Sequence, residues 1–409
     1  MEDLKIGDSL ARFQAALKQA GGSMGEFVYN NYVQKWGAKS TYYAMSIRTT
    51  FVNAMHNFLT KKGLLNMERV SLSPVTDPLA HDIEHSPTIH YKGLSYKTTH
   101  SMIYSKFLAC FNPYAKGIFV DSPNIRLELE SPNRQQRGKY LIDFSQMDIE
   151  FRRKHYISLN DYYNNPQDTI EKLNQDKELA LSFFEELIVD AVTQVVTYNQ
   201  EALQFLGVAL EIPKRPFPRI SCDEAVAKTK TKAFEMALGK TMKSQFFWVT
   251  GLMRENYDLI YPYLYKEGTK RALSDFSSND IYNYDLCAQS LQLDGTYGGC
   301  YEVLSGALRE WLYEPIVQRL LDNKILKVAP VFNSDGEIDN IDELEGYGPF
   351  LIAAKMKDAN GNSFFPATAG GGLGIERTLY ALLNGPVIKK VDDITLFGKN
   401  PDSFPIYLY

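Results

Sequence analysis

The feature that most constrains the fold is a pair of strand-forming segments joined by a polar loop. Ser122 to Glu128 runs into a loop of Arg, Gln and Asn, and Tyr140 to Phe151 then alternates between apolar and polar side chains. Alternation of period two marks a strand with one buried face. Two such strands across one flexible loop are placed to pair antiparallel.

The flanking sequence says what that hairpin packs against. Leu10, Phe13 and Leu17 keep helical spacing up to Gly21-Gly22, and a second helix is expected from about Ala44 to Lys62, ending at Gly63. Val70 to Leu129 reads as short strands broken by Pro74, Pro78, Pro87, Gly93 and Pro113. From about Asp168 to Phe205 the chain is strongly helical, with Leu173, Leu179, Leu181, Phe184, Leu187, Ile188, Val192 and Val195 as its apolar residues. Residues 333–362, rich in acids, Gly and Asn, read as a surface insertion. A glycine-rich turn at 370–374 precedes a helix from Glu376 to Leu383. The order predicts an α+β fold with a central antiparallel sheet flanked by helices.

Composition narrows the partners. The 409 residues are 44% hydrophobic and 23% charged, enough for a large packed core. Net charge is −5 and the pI about 5.8, so the overall basic balance common in nucleic-acid binders is absent, although a local patch is compatible with that total. The N-terminus has no signal-peptide pattern, and no run approaches the ~18 apolar residues of a membrane span. Cys110, Cys222, Cys287 and Cys300 are scattered, which fits reduced thiols in the cytoplasm. His81 and His85 are four apart, with His90 and His100 further on, but Pro78 and Pro87 bracket the pair, and ordinary loop histidines are favoured over zinc.

Arg126 offers a planar fork suited to a phosphate, Glu128 an acceptor and Phe144 an aromatic face, while Arg134, Arg137 and Lys139 put cations in the loop. Read alone, this could be a charged hairpin with an ordinary Arg126–Glu128 ion pair. Two further segments change the balance. Upstream, Lys62-Gly63 is followed by Val70-Ser71-Leu72-Ser73-Pro74; downstream stands Gly370-Gly371-Gly372-Leu373-Gly374-Ile375-Glu376-Arg377. In that order the three segments resemble the motifs of class II aminoacyl-tRNA synthetases, aspartyl/asparaginyl subgroup, over about residues 46 to 400.

The resemblance implies a class II catalytic core from residue 46 to 409 with a helical insertion at about 165–210, behind an N-terminal helical extension over 1–45. It implies ATP and Mg²⁺. Arg126 and Arg377 are then the catalytic arginines. Glu128 meets the adenine amino group, Phe144 lies under the base, Arg377 caps its other face, and Arg137 and Lys139 reach the outer phosphates. Gly374 belongs to the glycines that let the backbone pass beneath the adenosine. Asp285 and Glu302 match the metal carboxylates, with Asp258, in a second Asn-Tyr-Asp-Leu copy, competing for the first place. Lys106, in the Thr99 to Lys106 segment with Ser101, and Arg309 match residues that hold a carboxylate of the amino acid. Gln146 and Asp148 match positions that meet its amino group. Thr368 stands where the family has a histidine, and 392–399 departs from the family's closing stretch; both changes fall near the amino-acid pocket.

The first motif implies a homodimer. Only about 45 residues precede it, and they look helical, so an anticodon-reading barrel is not expected. The branch most resembled is the archaeal-type asparagine synthetases related to asparaginyl-tRNA synthetase. The expected function is therefore an AMP-forming ligase that adenylates an aspartate-like amino acid and passes it to ammonia or a small amine, with tRNA an unlikely partner. The alternative is an aminoacyl transferase or tRNA synthetase paralogue using a tRNA, protein or metabolite acceptor. An inactive regulatory paralogue comes last, because the ATP-binding residues are retained.

Overall fold

The computed structural model describes residues 6–73, 87–127 and 138–400, apart from 232, 253–256, 267, 273, 274, 345 and 360. The chain opens with α1 (Ile6–Gln19), the short α2 (Met24–Val28) and α3 (Lys35–Gly37), and the long α4 (Lys39–Lys61). Ala44, Ile47, Phe51, Met55 and Leu59 form one buried stripe along α4. The helix stops at Gly63, whose φ of +82° suits a residue without a side chain.

Strands β1 (Leu65–Asn66), β2 (Leu72–Ser73), β3 (Thr88–Tyr91) and β4 (Leu94–Thr98) lead to α5 (Ile103–Ala109). The predicted hairpin follows as β5 (Gly117–Ile125) and β6 (Asp143–Arg152), paired antiparallel from Gly117↔Phe151 to Ile125↔Asp143. Next come α6 (Leu159–Asn164), α7 (Pro166–Tyr198) and α8 (Gln200–Leu206), then β7 (Val208–Ala209) and β8 (Arg219–Ser221). Helices α9 (Cys222–Thr229) and α10 (Glu235–Met242) precede β9 (Phe246–Thr250), β10 (Asn283–Gln292) and β11 (Tyr297–Leu308). The chain continues through α11 (Tyr313–Asp322), α12 (Gly348–Lys355), β12 (Thr368–Gly374) and α13 (Ile375–Leu383).

Among the described residues, nine strands make one sheet in the order β1-β5-β6-β12-β11-β10-β9-β8, with β7 beside β10. All its pairs are antiparallel except β1/β5 and β8/β9. This is the expected α+β architecture. Met147 and Ile149 of β6, Leu304 of β11 and Leu373 of β12 share one core with Phe51 and Met55 of α4 and Leu181, Phe184 and Ile188 of α7. The alternate residues of β6, namely Gln146, Asp148 and Glu150, therefore face the other side.

Three expectations are corrected. The strand following Gly63 in the large sheet is Leu65–Asn66, whereas Leu72–Ser73 belongs to a separate three-stranded sheet ordered β2-β4-β3. The glycine run is not a turn but strand β12, bonded to β6 on one side and β11 on the other. The 333–362 stretch is more than surface: Ile338, Leu344, Tyr347 and Leu351 pack with Leu320 and Leu326 in a satellite core. Polar composition hid those few, widely spaced apolar anchors.

Candidate active site

Two glycines of β12 make the floor of the polar face. A Cβ at Gly370 would stand 2.1 Å from Glu150 Oε2, and one at Gly372 would stand 3.0 Å from Asp148 Oδ1. Side chains there would fill the space into which the β6 carboxylates project. Cross-strand register carries the same row through Asp148, Gly372, Ser305 and Asp285.

At one end of this face the charges are buried and already matched. Lys106 of α5 donates to Asp148 Oδ1 at 2.8 Å, with side chains only 2% and 3% exposed. Arg309 donates through Nε and Nη2 to the two oxygens of Glu150 at 3.3 and 3.4 Å, and through Nη1 to Asp258 Oδ1 at 3.3 Å. Thr368 adds a 2.7 Å bond to Glu150 Oε1, and Asn283 a 2.8 Å bond to Asp258 Oδ2. Burial works against the Arg309 charge, but Glu150 and Asp258 outweigh it and drive its pKa upward. The rings of Tyr257 and Phe107 lie 4.9 and 5.8 Å from the guanidinium. Lys106 and Arg309, far apart in sequence, thus serve adjacent same-face carboxylates of β6. Ser101, half-buried, lies just before α5.

The other end is more open. The Arg126 guanidinium lies 5.1 Å from the centre of the Phe144 ring and donates to the His100 carbonyl. Arg377 of α13 pairs with Glu302 at 3.3 Å, with side chains 25% and 30% exposed, and sits 5.4 Å from the Tyr140 ring. Gly374 caps the start of α13, and Gln146, half-buried, is its register partner. Lys139 is buried and lies 3.8 Å from Glu235 of α10. Glu128, Arg134 and Arg137, like His81 and His85, lie outside the described residues.

The candidate metal carboxylates come together through an irregularity. Asp285 is opposite Ser305, but the register slips between Leu286 and Cys287, so that Cys287 faces Glu302 instead of Val303. One extra residue in β11 therefore puts Glu302 on the Asp285 face. Two carboxylates fit Mg²⁺, a hard cation that takes one or two protein oxygens and completes its shell with phosphate and water. Asp258, the competitor from sequence, instead pairs with Arg309 and forms an isolated bridge with it.

Sequence reasoning passed over Glu150, Thr368, Asn283 and Glu376 as partners. Glu376 accepts from Ser145 N at 2.9 Å and faces Arg48 of α4 at 3.4 Å, and burial raises its pKa. The signal for Glu150 was present: it continues the i, i+2 series of Gln146 and Asp148.

With this geometry in view, comparison with known proteins is decisive. The profile of tRNA synthetases class II (D, K and N) matches residues 26–401. The chain belongs to that family. It is 27% identical over 204 residues to the aspartate–tRNA(Asp/Asn) ligase of Methanococcus aeolicus, covering 50% of this chain and 39% of that protein. It is 27% identical over 221 residues to the aspartate–tRNA(Asp) ligase of Thermococcus kodakarensis, covering 53% and 43%. The chain thus spans about two fifths of these relatives. The asparaginyl-tRNA synthetase of Pyrococcus horikoshii, solved with asparaginyl-adenylate, shares the fold with a TM-score of 0.60 at 17% identity, covering 91% of this chain and 71% of that one. Among the described residues no helix is long and apolar enough to cross a membrane.

Proposed function

We propose that this synthetase-family ligase condenses an aspartate- or asparagine-type amino acid with ATP to an aminoacyl-adenylate and pyrophosphate, and passes the aminoacyl group to the end of a tRNA. The observation that carries the reading is the single glycine-floored face that joins the buried Lys106/Arg309 end to the Arg126/Phe144/Arg377 end. Such a face can hold an amino-acid carboxylate and the α-phosphate in line.

The amino-acid carboxylate oxygen attacks the α-phosphorus, and pyrophosphate leaves with the electron pair. No protein nucleophile is needed. Arg126 stabilises the charge that develops on the α-phosphate and Arg377 caps the nucleotide, which makes catalysis mainly electrostatic and positional. Phe144 supports the base; Glu128, Arg137, Lys139 and Gly374 complete the nucleotide pocket. Ser101, Lys106, Gln146, Asp148 and Arg309 hold the amino acid. Bound Mg²⁺, held by Asp285 and Glu302, supplies charge neutralisation on the phosphates.

The relatives, tRNA ligases by name, give a tRNA acceptor better support than ammonia. Transfer to ammonia or a small amine is the second reading, favoured by the net charge of −5. A cytoplasmic homodimer fits both. The acceptor is tested by supplying the enzyme, ATP and Mg²⁺ with total tRNA or with ammonium and resolving products by mass spectrometry. Aminoacylated tRNA supports the first reading. Amide and AMP formed only with ammonium establish the second and overturn the first.

A further inference from the structure

We propose that Glu376 is a positioning residue: its buried carboxylate clamps β6 to α13 where the sheet has ended between them, and thereby holds the Phe144 ring and the Arg377 guanidinium at the spacing the nucleotide needs. The inference rests on the reading that Phe144 and Arg377 receive the adenosine of ATP.

The need for a clamp follows from the sheet. Strand β6 outruns β12: the last pair between them is Gly374↔Gln146, and Ile375 already begins α13. On its other edge β6 stays paired with β5 through Ser145, Phe144 and Asp143. Among the described residues, these three thus have a strand on one side only. A strand edge leaves backbone amides without a ladder acceptor, and an amide shielded from water without one is costly. Glu376 fills the place of the missing strand, for its Oε2 accepts from Ser145 N at 2.9 Å. Its other oxygen takes a 3.4 Å contact from Arg48 Nη2 of α4, and the Glu376 side chain is 9% exposed. A carboxylate suits the position, because Glu376 lies in the first turn of α13, where the free helical amides favour negative charge. One side chain therefore ties a strand and two helices together.

Both neighbours of this clamp belong to the proposed nucleotide end. Phe144 directly precedes Ser145, and Arg377 directly follows Glu376. The Phe144 ring lies 5.1 Å from the Arg126 guanidinium, and Arg377 reaches Glu302 at 3.3 Å. Releasing Ser145 frees the strand end that carries Phe144, while Arg377 stays with α13. The proposed amino-acid end has its own support. Asp148 and Glu150, which hold Lys106 and Arg309, sit where β12 still pairs with β6, opposite Gly372 and Gly370. Loss of the clamp is therefore felt through ATP rather than through the amino acid, since a misplacement of about 1 Å is enough to forfeit much of what a positioned group contributes.

The test is ATP–pyrophosphate exchange, with titration calorimetry of ATP and Mg²⁺, on the wild type, Glu376→Ala and Glu376→Gln, each checked for fold by circular dichroism. Glu376→Ala should raise KM and Kd for ATP by about tenfold or more and leave KM for the amino acid within about twofold. Glu376→Gln keeps an oxygen for Ser145 N and should recover most of the loss. A residue that acts only through stability would move both KM values together or neither. Either result overturns the proposal, as does a Glu376→Gln no better than Glu376→Ala. If Glu376→Ala fails to fold, Arg48→Met, at a side chain 29% exposed, loosens the same carboxylate. A rise in KM for ATP alone is then expected, and an unchanged KM overturns the proposal. Exchange with neither asparagine nor aspartate in the wild type would remove the functional reading instead. Equal ATP affinity in the wild type and Glu376→Ala would overturn the clamp on its own.

Discussion

The two ends of the polar sheet face are built by different rules. At the proposed amino-acid end, Lys106, Asp148, Arg309 and Glu150 are at most 3% exposed, and each charge already meets a partner within the protein. At the proposed nucleotide end, Arg377 and Glu302 are 25% and 30% exposed, and Arg377 makes two long contacts to Glu302, 3.3 Å to its carboxylate and 3.5 Å to its carbonyl. The buried end is preorganised; removing one partner leaves a charge that cannot be rehydrated. The open end has water to fall back on, so its side chains can exchange protein contacts for phosphates at little cost in stability. Under the proposed function, selectivity would therefore belong to the rigid end and charge stabilisation to the adaptable one.

The contrast breaks most visibly at Glu150. Glu150→Ala leaves buried Arg309 with Asp258 alone and Thr368 without its acceptor, and should cost about 3–5 kcal/mol in denaturant unfolding, with loss of exchange activity; a loss under 1 kcal/mol would mean that the network is not preorganised. Arg126→Ala should do the opposite, lowering adenylate formation by about 10²–10³-fold while changing stability by only about 1 kcal/mol. Single-turnover assays beside unfolding curves separate the two effects.

Glu310, next to Arg309, sharpens the comparison through pH. Burial raises its carboxyl pKa to about 7 from an ordinary 4.5, despite bonds from the Trp311 and Leu312 amides. Between those values the folded state binds the extra proton, so stability falls as pH rises from about 4.5 to 7, by about 3 kcal/mol at most. Glu310→Gln should flatten that slope in unfolding measured across the window; a slope that persists would assign it to other groups. The smallest effect is expected at the open end: Glu302→Gln should change stability by about 1 kcal/mol or less yet raise the Mg²⁺ concentration needed for half-maximal exchange.

The hairpin, α4 and α7 were legible because period-two and period-3.6 patterns report one buried face each. The glycine run was misread because glycines signal turns unless a strand on each side needs a surface without side chains, and Glu150 and Ser305 supply that reason only in three dimensions. The same limit hid the Arg309 network. Asp258, Glu150, Asn283 and Thr368 come from four segments, and sequence spacing carries no record of their convergence. The register slip that brings Glu302 to the Asp285 face is likewise invisible to a count of residues along the chain.

The central claim is that this one sheet face activates an amino acid with ATP. Its most direct test is ATP–pyrophosphate exchange by the wild type and Arg126→Ala, each checked for fold by circular dichroism, with asparagine and aspartate as substrates. The account predicts Mg²⁺-dependent exchange with at least one of the two in the wild type and its collapse in folded Arg126→Ala. No exchange with either amino acid, or undiminished exchange in the variant, would contradict it.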